Sequence, residues 1–109
     1  MSSVSTHVLD TALGKPAAGI HAILEVQAHP DHWTALGDMS TDADGRIKSF
    51  VPPDASLLPG IYRLRFDTGA YQLGFYPEVI IAFLIDSPEQ HYHVPLLLSP
   101  FGYSTYRGS

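Results

Sequence analysis

Along most of the chain apolar and polar residues alternate with a period of two, which is what a strand with one buried and one solvated face requires. Residues 61–67 show this best, with Tyr62, Leu64 and Phe66 on one face and Arg63 and Arg65 on the other, where the arginines should form a solvated strand surface. Residues 6–11 place Ser5, His7, Leu9 and Thr11 opposite Thr6, Val8 and Asp10. Residues 21–28 set His21, Ile23, Glu25 and Gln27 against Ala22, Leu24, Val26 and Ala28. A turn at His29-Pro30-Asp31-His32 should return the chain antiparallel over residues 33–38. The turn Asp42-Ala43-Asp44-Gly45 should deliver Arg46 to a strand over residues 46–51, ended by Pro52-Pro53 because proline has no ladder donor.

Residues 79–85 are apolar at every position, which predicts a strand buried on both faces and a second subunit over the outer one. Residues 12–19 read as a loop, and residues 69–74 as a helical turn weakened by two glycines. The sum is an all-β chain: an antiparallel β-sandwich of about eight strands in two sheets with one short helix, a single domain over residues 1–109.

Residues 91–109 hold the densest chemistry. Aromatic residues and a leucine run argue for order there, as two adjacent strands around Ser99-Pro100. Alternation puts His91, His93, Pro95 and Leu97 on one face and Tyr92, Val94, Leu96 and Leu98 on the other. His93 lies nearer the strand's middle and should be the better fixed imidazole, whereas His91 is given no chemical role.

Composition narrows the function. A net charge of −5 argues against a nucleic-acid backbone or an anionic membrane as partner. The absence of cysteine excludes disulfides and thiolate chemistry. Residues 1–6 lack a basic stretch leading into an apolar one, so a cytoplasmic location is expected, and the apolar run at 79–85 is far short of the about 20 residues a spanning helix needs.

Three separated segments, residues 5–17, the turn Asp44-Gly45-Arg46 and residues 91–109 with their final Tyr106-Arg107-Gly108-Ser109, resemble the hydrolase branch of the transthyretin-like family. The resemblance spans essentially the whole chain, and the final tetrapeptide separates the hydrolases from the hormone carrier. It implies an eight-stranded transthyretin-like sandwich, pairing edge to edge into dimers that stack as a homotetramer with sites in the cleft between dimers. It also implies hydrolysis of 5-hydroxyisourate to 2-oxo-4-hydroxy-4-carboxy-5-ureidoimidazoline in urate degradation, with no metal or organic cofactor. The family's catalytic histidines fall on His7 and His93 and its turn arginine on Arg46. Tyr106, Arg107, Gly108 and Ser109 are substrate-binding by the same resemblance, and Leu9 and Leu97 join them as apolar neighbours on the two histidine faces.

These residue types suit the reaction. Opening a cyclic acyl urea needs an activated water, a stabilised oxyanion and a proton returned to the leaving nitrogen. One of His7 and His93 would act as base, kept neutral by the positive charge of Arg46 and Arg107, while the other orients water or donates a proton. Arg46 offers the planar fork for the carbonyl. The hydroxyl or carboxylate of Ser109 could hold substrate or water, with Arg107 pairing to that carboxylate. A covalent mechanism at Ser109 is disfavoured, since no aspartate orients a histidine toward it. The rival readings are a carrier without catalysis, a metal site built on His91 and His93 with His29 or His32, and a structural assembly protein. His21, His29 and His32 are expected to be structural.

Overall fold

The computed structural model describes residues 3–109. Its elements in chain order are β1 (Ser3–Asp10), β2 (Lys15–Pro16), β3 (His21–His29), β4 (His32–Ser40), β5 (Arg46–Ile47), β6 (Gly60–Phe66), α1 (Thr68–Tyr71), β7 (Val79–Ile85), β8 (His91–Ser99) and β9 (Gly102–Thr105). One sheet runs β2-β1-β8-β9 with β5 also on β1, and the other runs β4-β3-β6-β7. Alternation sends Val4, Val8, Tyr92, Leu96 and Leu98 from the first sheet to meet Leu24, Leu64, Phe66 and Ile85 from the second. Each fully buried side chain of this kind stabilises the fold by about 1.5–3 kcal/mol.

Several expectations change on folding. The sandwich is not wholly antiparallel: β1 and β8 run parallel, from Ser3 beside His91 to Asp10 beside Leu98. They lie far apart in sequence, so no tight hairpin dictates their direction. The first strand starts at Ser3 and leaves Thr11 in a turn, and the loop after it contains the two-residue β2. The strand expected over residues 46–51 stops after Ile47. Phe50 and Val51 instead fold into the core, where the Phe50 N–H bonds the Val4 carbonyl at 3.0 Å.

The helical turn comes earlier than expected, because Asp67 caps it through the Ala70 N–H. Its Tyr71 hydroxyl donates to the buried Asp10 at 2.7 Å. Burial alone would raise the Asp10 carboxyl, but this bond and the Leu13 N–H outweigh it and hold it below the usual carboxylate range.

Arg63 and Arg65 do not form a simple solvated face. Both Nε–H groups donate to one oxygen of Glu25, at 2.6 and 2.9 Å, and the Arg63 guanidinium lies 4.1 Å from the centre of the Trp33 ring. Register explains it: Glu25 sits opposite Arg63 and one pair from Arg65 on the same face. Burial opposes the Glu25 charge, and the two guanidinium groups overcome it, so its carboxyl is held low. On β7, Val79, Ile81 and Ile85 are buried, while Ile80 and Leu84 are 45% and 60% exposed. Among the described residues no helix is long and apolar enough to cross a membrane.

Candidate active site

The outer face of the first sheet assembles the chemistry. The parallel register sets Ser3 beside His91, Ser5 beside His93 and Leu9 beside Leu97, and the antiparallel pair with β5 sets His7 beside Arg46. Both histidines and the arginine expected from the sequence therefore share one face. A cleft of about 230 Å³ opens there, lined by Ser5, Thr6, Arg46, Ile47, Lys48, His91, His93 and Ser109.

A tight turn aims Arg46. Asp42 accepts from the backbone N–H of Asp44 at 2.9 Å and of Arg46 at 3.0 Å. Gly45 completes the turn at φ +75°, and a Cβ there would stand 2.4 Å from the Val8 carbonyl oxygen. Only glycine meets both demands. His7 ties the same turn to β1, because its Nε2 bonds the Asp44 carbonyl at 2.9 Å and a carbonyl can only accept. That nitrogen therefore bears the proton, and His7 itself is not among the cleft's lining residues.

His93 is half-buried, and its Nδ1 lies 2.7 Å from the Ser5 Oγ. Burial disfavours its charged form, and His91, Arg46 and His7 add to that, so its pKa lies below the usual imidazole value. A neutral imidazole able to accept a proton results. Against it lies the tail: the Gly108 N–H bonds the His93 carbonyl at 2.9 Å, and a Cβ at Gly108 would fall 2.5 Å from His93 Cδ2. Gly108→Ala is thus expected to lift the tail and turn the ring, lowering kcat/KM on the order of 100-fold, the usual scale for an ångström of misplacement. Steady-state kinetics beside a thermal melt checks this, and the melt should move little because one backbone bond is at stake.

Ser109 lines the cleft, whereas the other two residues of the tetrapeptide lie elsewhere. Tyr106 and Arg107 line a separate hollow of about 310 Å³ with Ile81, Phe83 and Leu84 of β7, and His93 borders both hollows. Arg107 donates to Gln90 at 2.9 Å and covers the Tyr92 ring at 4.6 Å. It is not among the charges that shift His93. Leu9 and Leu97 are half-buried neighbours on the cleft's face, outside its lining.

Sequence reasoning gave Ser5 and Lys48 no role and His91 none beyond the rival metal site, and all three line the cleft. His91 stacks on His93 with ring centres 6.3 Å apart and bonds Ser5 through Nε2 at 2.9 Å. The shared parity of Ser5 with His7 and of His91 with His93 was already a signal; what joins the two pairs is the parallel register. His29 and His32 close a hairpin on the other sheet, 6.4 Å apart. Among the described residues no three His, Asp or Glu side chains converge as metal ligands would.

Fold and site together define a β-sandwich whose outer sheet face holds an imidazole and guanidinium cleft, an arrangement suited to a small polar molecule. The sequence matches the profile of the HIUase/Transthyretin family over residues 4–108, and the chain belongs to that family. It is 49% identical to the 5-hydroxyisourate hydrolase of Salmonella typhimurium, an alignment covering 97% of this chain and 80% of the relative. The structure of Klebsiella pneumoniae 5-hydroxyisourate hydrolase superposes with a TM-score of 0.85 at 38% identity, covering all of both chains. Sea bream transthyretin, solved in complex with thyroxine, superposes with a TM-score of 0.87 at 30% identity over 97% of this chain and 94% of its own.

Proposed function

We propose that this chain hydrolyses 5-hydroxyisourate to 2-oxo-4-hydroxy-4-carboxy-5-ureidoimidazoline. The fold does not separate hydrolase from carrier, since both kinds of structure superpose about equally well. The site supports the hydrolase: a half-buried imidazole kept neutral shares one cleft with a guanidinium.

His93 Nε2 takes a proton from water as that water attacks the acyl carbon. Arg46 holds the developing oxyanion with its fork of donors, and the imidazolium returns the proton to the leaving nitrogen as the carbon–nitrogen bond breaks. His7 acts through Arg46, because its Nε2–H is held by the carbonyl of the turn that presents the guanidinium. Gly108 bonds the His93 carbonyl and leaves room for its ring, Ser109 contacts substrate or water from the cleft wall, and Arg107 with Tyr106 anchors the tail. Leu9 and Leu97 supply an apolar surface beside the cleft. The scheme uses no metal or organic cofactor.

A homotetramer fits the same reading. β7 and β9 are open sheet edges that flank the Tyr106 hollow, suited to edge-to-edge dimers, and the outer face of the first sheet offers Leu9 and Leu97 to a stacked pair. The deciding experiment follows the ultraviolet absorbance of freshly generated 5-hydroxyisourate. The chain should accelerate its decay with and without a chelator, and decay at the uncatalysed rate would mean a carrier.

A further inference from the structure

The base proposed for the reaction is the end of a hydrogen-bonded chain. Ser5 Oγ, in a residue only 6% exposed, lies 2.7 Å from His93 Nδ1 and 2.9 Å from His91 Nε2. Ser3 Oγ bonds the other nitrogen of His91, and His91 is exposed. A hydroxyl has one proton, so Ser5 must donate to one imidazole and accept from the other. The two tautomers are thereby locked together.

If His93 keeps a free lone pair on Nε2 for water, its proton sits on Nδ1 and is donated to Ser5. Ser5 then donates to His91 Nε2, and the proton of His91 sits on Nδ1, toward Ser3 and the outside. In the reverse arrangement every donor turns round and His93 Nε2 bears a hydrogen. The reaction makes use of such a pair of states. Cleaving an acyl–nitrogen bond with a water gives one proton to the leaving nitrogen, and the second is lost when the new carboxylic acid ionises. A ureido nitrogen is too weakly basic to hold it.

We infer that Ser5 and His91 form a relay that carries this second proton from His93 to solvent, an inference that rests on His93 being the base. One proton enters at His93 Nε2; the Nδ1 proton passes to Ser5, the Ser5 proton to His91 Nε2, and one leaves His91 Nδ1. Only N–H and O–H bonds change, both imidazoles end neutral, and the negative charge left is that of the product carboxylate. With product gone, bulk base removes the Nε2 hydrogen, bulk acid returns one to His91 Nδ1, and the array resets. Burial of His93, with His91, the Arg46 guanidinium and His7 alongside, makes a lasting positive charge there unfavourable, which is the reason to export it. His91 and Ser5 act through His93 and are positioning residues.

His91→Ala, at an exposed position and safe for folding, is expected to lower kcat about tenfold in dilute buffer with KM unchanged, and added imidazole buffer should restore it. Ser5→Ala should show the same loss of kcat, and Ser5→Thr, which keeps the hydroxyl, should regain it. Wild-type kcat for His91→Ala in dilute buffer, or a loss that imidazole leaves untouched, overturns the relay while an inactive His93→Asn still upholds His93 as base. Full activity in His93→Asn removes both.

Discussion

His93→Asn is expected to lower kcat by about two to four orders of magnitude, the range typical of removing a general base. Asparagine keeps a polar atom near the place of Nδ1, so the Ser5 bond and the contact with Gly108 have a partner of similar size. The pKa of its amide leaves it unable to take a proton from water. Stability should therefore change little, and the same preparation can be melted and assayed. A binding-only role for the site predicts the opposite split, with KM raised and kcat intact. Turnover near that of the parent chain, measured by decay of fresh 5-hydroxyisourate, would remove His93 from the mechanism.

Arg46→Gln should cost about 100- to 1000-fold in kcat/KM, the scale of losing an oxyanion donor. It should also move the pH profile in a direction that can be worked out. Rate rises with pH as His93 loses its proton. In the parent chain burial, together with His91, Arg46 and His7, pushes that pKa below the ordinary imidazole value, so the acid limb lies low. Removing the Arg46 charge lets His93 hold its proton more tightly, and the limb should shift to higher pH. Arg46→Lys keeps the charge and loses the fork, so its limb should stay in place while kcat/KM still falls. A limb that moves down in Arg46→Gln, or moves equally in Arg46→Lys, contradicts the assignment of Arg46 as both a donor to substrate and a charge on His93.

The expectations that failed have separate physical causes. Arg63 and Arg65 read as solvated because the period of a strand says which face a residue takes and nothing of its cross-strand neighbour; the register of β3 with β6 brought Glu25 beneath them. The strand after Arg46 read too long because Phe50 and Val51 are good strand residues, and their burial in the core outweighed that preference. The helical turn read too late because the two glycines, rather than the capping Asp67, drew the boundary. The bond between His91 and Ser5 was not legible in the sequence because the two lie at opposite ends of the chain.

The sequence by itself determined the faces. Alternation sorted the residues of β1 and β8 onto two opposite faces and for β6 also named the inward one, the Asp42 to Gly45 turn announced where Arg46 would start, and the motif segments named His7, Arg46 and His93. Tertiary structure alone decided which faces meet. Strand direction and register between distant segments depend on how two sheets close over one core, and no local pattern encodes that sum. Parallel pairing of β1 with β8 is what sets Ser5 beside His93 and brings Arg46, through His7, onto the same surface; an offset of one residue would send those groups into the core instead.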